Sequence, residues 1–299
     1  MSTENKKINI NQVILMIALS IFTLVCVLPV LLVVIVSFST EASITEKGFS
    51  FFPTGWTLDG YKYLLTFKDS LITGYMVTIF ETVFGTLLSL LVTSMYSFAL
   101  ARRSWRARGF LTGILITCML FNGGAVATYI INTNVYQFRN NLLVLIIPGG
   151  LSVGNVIIMR TFINSNIPEA LIDAAKIDGA SEGYLYWRVT IPLMKPCLAS
   201  IGFMGAVGHW NQWYTSMLYF DDPKLTSLQL LLVRIEKDLE YLKSNLATLT
   251  AEESQMLLEM PSDSVRMAIL LATLGPMLVI YPFFQKYFTK GMTMGAVKG

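Results

Sequence analysis

Between Lys7 and Glu41 the chain carries no charged residue. Such a run is too long for the apolar stretch of a cleaved signal peptide, and no convincing small-residue cleavage site follows it. As a helix it is long enough to cross a hydrocarbon layer of about 30 Å, which takes roughly 20 mostly apolar residues. Five further stretches qualify, giving expected spans near 13–37, 72–100, 110–132, 142–163, 196–219 and 266–285. Only 14% of the residues are charged, against about 25% in soluble domains. The fold class is therefore an all-α membrane protein with six transmembrane helices.

Orientation follows from basic residues near helix ends. Arg102, Arg103, Arg106 and Arg108 crowd one short loop without an acid, so that loop belongs in the cytoplasm. With six spans, both termini are then cytoplasmic. Because the arginine turn is short and directly follows a span, it fits a topology anchor better than a nucleic-acid site. Residues 38–71 include Phe51, Phe52, Pro53, Trp56 and Tyr61, a mix suited to an interfacial or capping segment on the outer rim.

Polar residues inside apolar spans are the informative exceptions. Glu81 is the one acid well within a span, where burial of charge is costly, so it should pair with a neighbouring helix or face a water-filled cavity. Asn122, Gly123 and Gly124 sit at mid-depth of the third span, ahead of Thr128, Tyr129 and Asn132. Glycines there allow close helix packing or local unwinding beside a cavity. Cys26, Cys118 and Cys197 show no metal-ligand spacing and read as small core hydrophobes. His209, the single histidine, reads as a packed or helix-end residue, and no metal site is expected.

Two hydrophilic segments interrupt the pattern. Residues 220–264 carry nine acids against four basic residues, and Leu228, Leu231, Leu232, Ile235 and Leu239 recur at helical spacing. Part of this segment should be an amphipathic helix packed on its own protein or on a partner. Residues 168–192, PEALIDAAKIDGASEGYLYWRVTIP, lie on the cytoplasmic side of the expected topology. Pro168 suits the first position of a helix, with Asn166 upstream as a cap. Ala170, Ala174 and Ala175 leave a low-relief face while Leu171, Ile172 and Ile177 supply apolar anchors. Gly179 follows the helix end, where a positive φ is often required. Ser181 can cap a second short helix through Tyr184 and Trp187, which Pro192 ends. Two short helices joined at Gly179 make a knob suited to a groove on a soluble partner. The alternative is an ordinary interfacial re-entrant loop.

At this point the residues carry a resemblance. Asp173-Ala174-Ala175, then Gly179, Val189 and Ile191-Pro192, is similar to the E-A-A loop of permease subunits of ATP-binding-cassette (ABC) importers. Asp173, Val189 and Ile191 are conservative departures from Glu, Ile and Leu. KIDGAS with TIPLMKP resembles the carbohydrate-uptake branch that includes the maltose permease. FNGGAVATY (121–129), IIMRTF (157–162), VGHWNQWYTSMLY (207–219), LQLLL (228–232) and QKYFTKGMTMGAVKG (285–299) resemble the complex-oligosaccharide and polysaccharide importers. The likeness runs from about residue 12 to the end; the motifs are individually weak but specific as an ordered set.

The resemblance implies a type I ABC importer transmembrane fold in a bacterial cytoplasmic membrane. Residues 1–71 would form a tail, the first span and an external loop, and 72–290 the transmembrane core. Within that core, 165–192 would be the coupling loop and 220–264 an external loop that docks an extracellular solute-binding protein. Residues 291–299 would be a cytoplasmic tail. Partners would be a second permease, two ATPases and that binding protein, with an oligosaccharide as cargo. The chain has no P-loop, so it is not expected to be an enzyme; ATP and Mg would sit on the ATPases. Coupling would fall on Glu169, Ala170, Asp173, Ala174, Ala175, Asp178, Gly179 and Ala180. Aromatic faces and amides suited to sugar are Trp210, Asn211, Trp213 and Tyr214, with Tyr129 and Asn132 from the third span. A non-sugar solute or, less readily, an ion-coupled secondary transporter remains the alternative.

Overall fold

A computed structural model of the protein describes residues 10–244 and 262–296. Among them every regular element is helical, and extended pairing is confined to an isolated antiparallel bridge between Ser39 and Trp56. Contacts divide the chain into two compact units, Met1–Lys68 with Ile235–Gly275, and Asp69–Arg234 with Pro276–Gly299.

In the first unit, α1 (Ile10–Ser37) is a 28-residue helix whose side chains are exposed as far as Leu31. An apolar helix with no protein cover of its own belongs in lipid or against another membrane chain. The chain then tightens into α2 (Glu41–Lys47) and α3 (Asp59–Leu65). Thr40 caps α2 by accepting a hydrogen bond from the Ser43 amide, and the Ser43 hydroxyl in turn accepts from the Thr54 amide. Ser37 and Tyr61 hydroxyls meet at 2.8 Å. Glu41 accepts from the Asp263 amide at 3.1 Å. A Cβ on Gly60 would lie 3.0 Å from the Ser264 backbone, so this close approach requires glycine. Phe52 and Trp56 are exposed here, as an interfacial segment would leave them.

The second unit is built on α4 (Lys68–Ala101), 34 residues long and widened to π-helical bonding over Glu81–Gly85. It packs on α7 (Val153–Asn166) through Leu100 and Val156, with the Ser97 hydroxyl donating to the Val156 carbonyl at 3.0 Å. It also packs on α10 (Lys195–Trp210), where Gly202 meets Leu90. Between them run α5 (Arg108–Leu120), α6 (Gly124–Val135), α8 (Glu169–Ile177) and α9 (Glu182–Leu193). The short α11 (Tyr214–Tyr219) leads to α12 (Leu228–Ser244), and α13 (Ser262–Ala296) closes the described chain.

Several expected spans are broken. Among the described residues three helices are long and apolar enough to cross a membrane, at Ile10–Ser37, Lys68–Ala101 and Asp263–Gln285, and up to five if each bent pair is one span. The third expected span is bent by 117° between α5 and α6. Of the two readings of Asn122-Gly123-Gly124, the fold takes unwinding, with Gly124 at φ +77°. The fourth, expected at 142–163, is a 3-10 turn at Leu142–Leu145 followed by the 14-residue α7, because Pro148, Gly149 and Gly150 interrupt it. The fifth, expected at 196–219, stops at Trp210 and resumes at Tyr214, while α9 and α10 meet at a 79° bend. The cysteine reading needs correction too: Cys197 is buried, but Cys26 and Cys118 are exposed on helix faces that protein does not cover.

The amphipathic helix expected within 220–264 is α12, with Leu228, Leu232, Ile235 and Leu239 buried; residues 245–261 of that segment lie outside the described residues. Its start is held by polar groups. The Leu228 amide donates to the buried Thr78 hydroxyl at 2.9 Å, and a Cβ on Gly74 would lie 3.1 Å from Leu228 Cα. Thr78→Val keeps the shape but orphans that amide, which costs about 1–3 kcal/mol. A lowered melting midpoint of the detergent-solubilised protein is expected, and an unchanged midpoint would remove Thr78 as the anchor.

Candidate functional site

Four interruptions of helix in the second unit meet at one cavity of about 340 Å³. The π-helical turn contributes Glu81; the break between α5 and α6 contributes Asn122 and Gly124; the turn before α7 contributes Pro148 and Gly149; the break after α10 contributes Gln212. Thr128, Asn132, His209 and Tyr214 add polar groups, while Ala125, Val144, Leu145 and Leu218 make much of the lining apolar. A π-helical turn is a common mark of a functional position in a helix. Glu81, the first residue of that turn, lines the cavity.

Glu81 is only 1% exposed and faces His209, whose Nδ1 lies 3.6 Å from Oε1. Neither carboxylate oxygen has a hydrogen bond at ordinary distance. His209 stands in the last turn of α10 and is mostly buried. The imidazole fits because position 85 is glycine: a Cβ there would lie 2.6 Å from His209 Cε1. Sequence alone leaves Glu81 without a named partner, and the fold supplies His209.

Of the aromatic and amide residues proposed from sequence, Asn132 and Tyr214 line the cavity. The Asn132 amide donates to the Tyr219 hydroxyl at 2.9 Å, and Tyr129 stacks on Tyr219 with centroids 5.4 Å apart, one layer behind the lining. Trp210 is 3% exposed and packs near Tyr75 at 6.3 Å. Asn211 turns back to the Val207 carbonyl at 2.9 Å, and Trp213 meets Tyr214 edge-on at 5.9 Å. Gln212, between these last two, reaches the cavity; a helix break moves alternate residues to opposite sides in a way that helical spacing cannot anticipate.

In the turn after α6, Arg139 donates to Asp221 at 2.8 Å, and the Asn140 side chain accepts from the Asp221 amide at 2.8 Å. The hydrogen bond from Arg139 holds the exposed Asp221 carboxyl below its usual range. Gln137 and Asn140 both adopt positive φ in this turn.

The second feature is the knob formed by α8 and α9. Pro168 is the N-cap of α8 rather than its first helical residue, and Asn166 ends α7, its amide donating to the Phe162 carbonyl at 3.0 Å instead of capping. Gly179 has φ +82°, and a Cβ added there would meet no atom within 4 Å, so backbone conformation alone selects glycine. Ser181 caps α9 by accepting from the Tyr184 amide. Pro192 does not end this helix; it lies in its last turn, where the ring is preceded by wider π-helical bonding over Leu185–Thr190.

The knob is fixed on one side and open on the other. Ile172 and Leu185 are buried with Met159, Ile163, Met194 and Ile201, and Ala175 and Ala180 pack on the same cluster. Glu169, Ala170, Asp173, Ala174, Asp178 and Gly179 are exposed beside Leu171, Ile177, Tyr184 and Trp187. Ile177 is 86% exposed. Glu182 accepts from Lys176 at 2.9 Å and from Arg102 at 3.4 Å, and Arg102 lies over the Phe98 ring. An arginine read from sequence as a topology anchor thus also ties the knob to the end of α4. Among the described residues no three His, Cys, Asp or Glu side chains converge as a metal site needs.

Comparison with known proteins gives a consistent result. Residues 85–294 match the family of binding-protein-dependent transport system inner membrane components. The chain is similar to protein LplC of Bacillus subtilis (strain 168), at 34% identity over 92% of this chain and 90% of that one. It is 32% identical to the polygalacturonan/rhamnogalacturonan transport system permease protein YtcP of the same organism, over 94% and 96% of the two chains. Its fold resembles a chain in the crystal structure of a bacterial ABC transporter involved in import of the acidic polysaccharide alginate. The TM-score is 0.75 and the identity 28%, with 96% of this chain and 100% of that chain covered.

The cavity geometry makes Gly85 the residue most sensitive to enlargement. Gly85→Ala puts a methyl group where the His209 ring lies, and overpacking of this kind costs about 1–3 kcal/mol. The expected outcome is a lower melting midpoint in detergent, recovered in part by Gly85→Ala with His209→Ala. Wild-type stability of Gly85→Ala would mean that His209 is free to leave.

Proposed function

The chain belongs to the family of binding-protein-dependent transport system inner membrane components, and we propose that it moves oligosaccharides or polysaccharide fragments inward by alternating access. It is an integral membrane permease subunit with the type I ABC importer fold. Six spans with both termini cytoplasmic, in a bacterial inner membrane, complete the proposed topology; each bent helix pair would then serve as a broken span. Names of relatives at 32% and 28% identity, carrying polygalacturonan or rhamnogalacturonan and alginate, support a glycan as cargo.

The observation that carries the reading is the knob. Its inner face is anchored by Ile172, while Leu171, Ile177, Tyr184 and Trp187 stand uncovered around the bend at Gly179. This is a helix-in-groove surface, with alanines for close approach and large apolar side chains for burial. We assign the groove to an ATPase subunit, one of two, with ATP and Mg bound there and not on this chain. A second permease would complete the membrane assembly, and an extracellular solute-binding protein would deliver the glycan. Closure of the ATPases would push the knobs and rotate the spans as rigid bodies. Segment 220–264, containing α12, is assigned to contact with the binding protein.

Gly179→Val tests the knob. A β-branched residue at positive φ is strained by about 1–2 kcal/mol, so the bend should open while the protein still enters the membrane. Uptake should fall at least tenfold with ATP hydrolysis by the co-purified assembly retained. Normal uptake by this variant, or purification without any ATPase, contradicts the assignment. Deleting residues 236–258 should abolish stimulation by the binding protein, and unchanged uptake and complex formation would sever that segment from docking.

A further inference from the structure

The cavity of the second unit holds a buried acid that faces His209 but has no hydrogen bond at ordinary distance. Glu81 is almost wholly buried, lines the cavity, and leaves both carboxylate oxygens without a hydrogen bond at ordinary distance; His209 Nδ1 is 3.6 Å from Oε1. A buried carboxylate in a membrane span is expensive to keep unless it is paired or used. Pairing here is incomplete.

The rest of the lining constrains what could finish it. Gln212 and Tyr214 offer an amide and a hydroxyl able to donate and accept, the Asn122 amide can still donate, and the Thr128 hydroxyl, whose proton goes to the Gly124 carbonyl, can accept, beside an apolar wall of Ala125, Val144, Leu145 and Leu218. No lysine or arginine lines the cavity among the described residues, and its single histidine already faces Glu81. The charge presented to a ligand is therefore an acid with at most one balancing imidazolium. A ligand carboxylate would meet no free cation and would lie beside a like charge. A ligand hydroxyl would donate to Glu81 in a charge-assisted hydrogen bond. The volume, about 340 Å³, lies within the range of roughly 300–1,000 Å³ typical of small-molecule sites.

We infer that this cavity is a binding subsite for a neutral, polyhydroxylated sugar unit, with Glu81 reading a sugar hydroxyl and discriminating against uronates. The inference rests on the glycan-importer reading above and adds to it a residue and a charge class. It departs from what the names of the acidic-glycan relatives suggest, because the selection is made by this chain's own lining.

The test measures direct binding to the detergent-solubilised importer assembly, purified through this chain and without its binding protein. Two probes differ only at C6 of each sugar: α-1,4-linked galactotetraose and tetragalacturonate. Wild type should bind galactotetraose at least tenfold more tightly than tetragalacturonate. Glu81→Gln, which keeps the shape and can still meet His209, should bring the two affinities within about threefold, mainly by weakening galactotetraose. Co-purification of the partner subunits checks that this variant assembles. If it does not, His209→Gln is used instead, which leaves the carboxylate unbalanced and should widen the gap. Equal or tighter binding of tetragalacturonate by wild type overturns the inference, as does a ratio unmoved by the assembled variant. Binding of neither probe also overturns it, while uptake of a glycan by the complete importer with its binding protein would leave the importer reading standing.

Discussion

Backbone amides and carbonyls cannot be left unpaired in hydrocarbon, so a chain may depart from helix at membrane depth only where protein or a watered cavity receives the freed groups. This constraint organises the second unit. The widened turn at Glu81–Gly85, the break at Phe121–Gly123, the stretch before Val153 and the break at Asn211–Trp213 are scattered in sequence. Residues from each of them, or directly beside them, line the same cavity. Four separate departures at unrelated places would each need their own compensation. Gathered around one cavity, they share it.

The same constraint explains what sequence could and could not disclose. The long apolar runs at 13–37 and 72–100 become helices despite Pro29 in the first and a widened turn at Glu81–Gly85 in the second. The bend at Gly179 was legible because a helix end, a glycine and the capping Ser181 occur in order. Burial of Leu228, Leu232, Ile235 and Leu239 was legible because α12 keeps a regular period. The pairing of Glu81 with His209 was not, since 128 positions separate them and only the cavity makes them neighbours. Trp210 and Gln212 are instructive together. By residue type the tryptophan looks the better sugar contact, yet it is buried near Tyr75, while the glutamine beyond the helix end reaches the lining. Periodicity fails at the break that creates the site.

Sequence also undervalued Arg102. Four arginines in a row of loop residues announce topology, and nothing about their spacing distinguishes one from the rest. The fold does: Arg102 is mostly buried over Phe98 and reaches Glu182, which also takes Lys176. Exposed ion pairs contribute little to stability. Here one partner is largely shielded and the shared acid sits on the knob, so the geometry fixes position more than it adds energy.

Cavity and knob are joined by the same two helices. From Glu81 to Arg102, α4 spans roughly 30 Å at 1.5 Å per residue; one end faces His209 and the other holds Glu182. From Lys195 to His209, α10 covers roughly 20 Å, beginning next to the knob and ending at the cavity. Between these ends the two elements share Leu90 on Gly202, and the Ser94 hydroxyl meets the Tyr186 hydroxyl of α9 at 2.7 Å in the buried interior. A push on the knob therefore acts on a packed pair of rods, and close-packed interiors transmit displacement rather than absorb it. At the cavity these rods carry Glu81, near the middle of α4, and His209, in the last turn of α10. Any shift that reaches them changes a contact already held at 3.6 Å, beyond hydrogen-bond length. On the proposed role of Glu81, a carboxylate that holds a sugar hydroxyl in one arrangement would turn to its imidazole in the other, so that the stroke that opens the path would also loosen the hold on what passes through it.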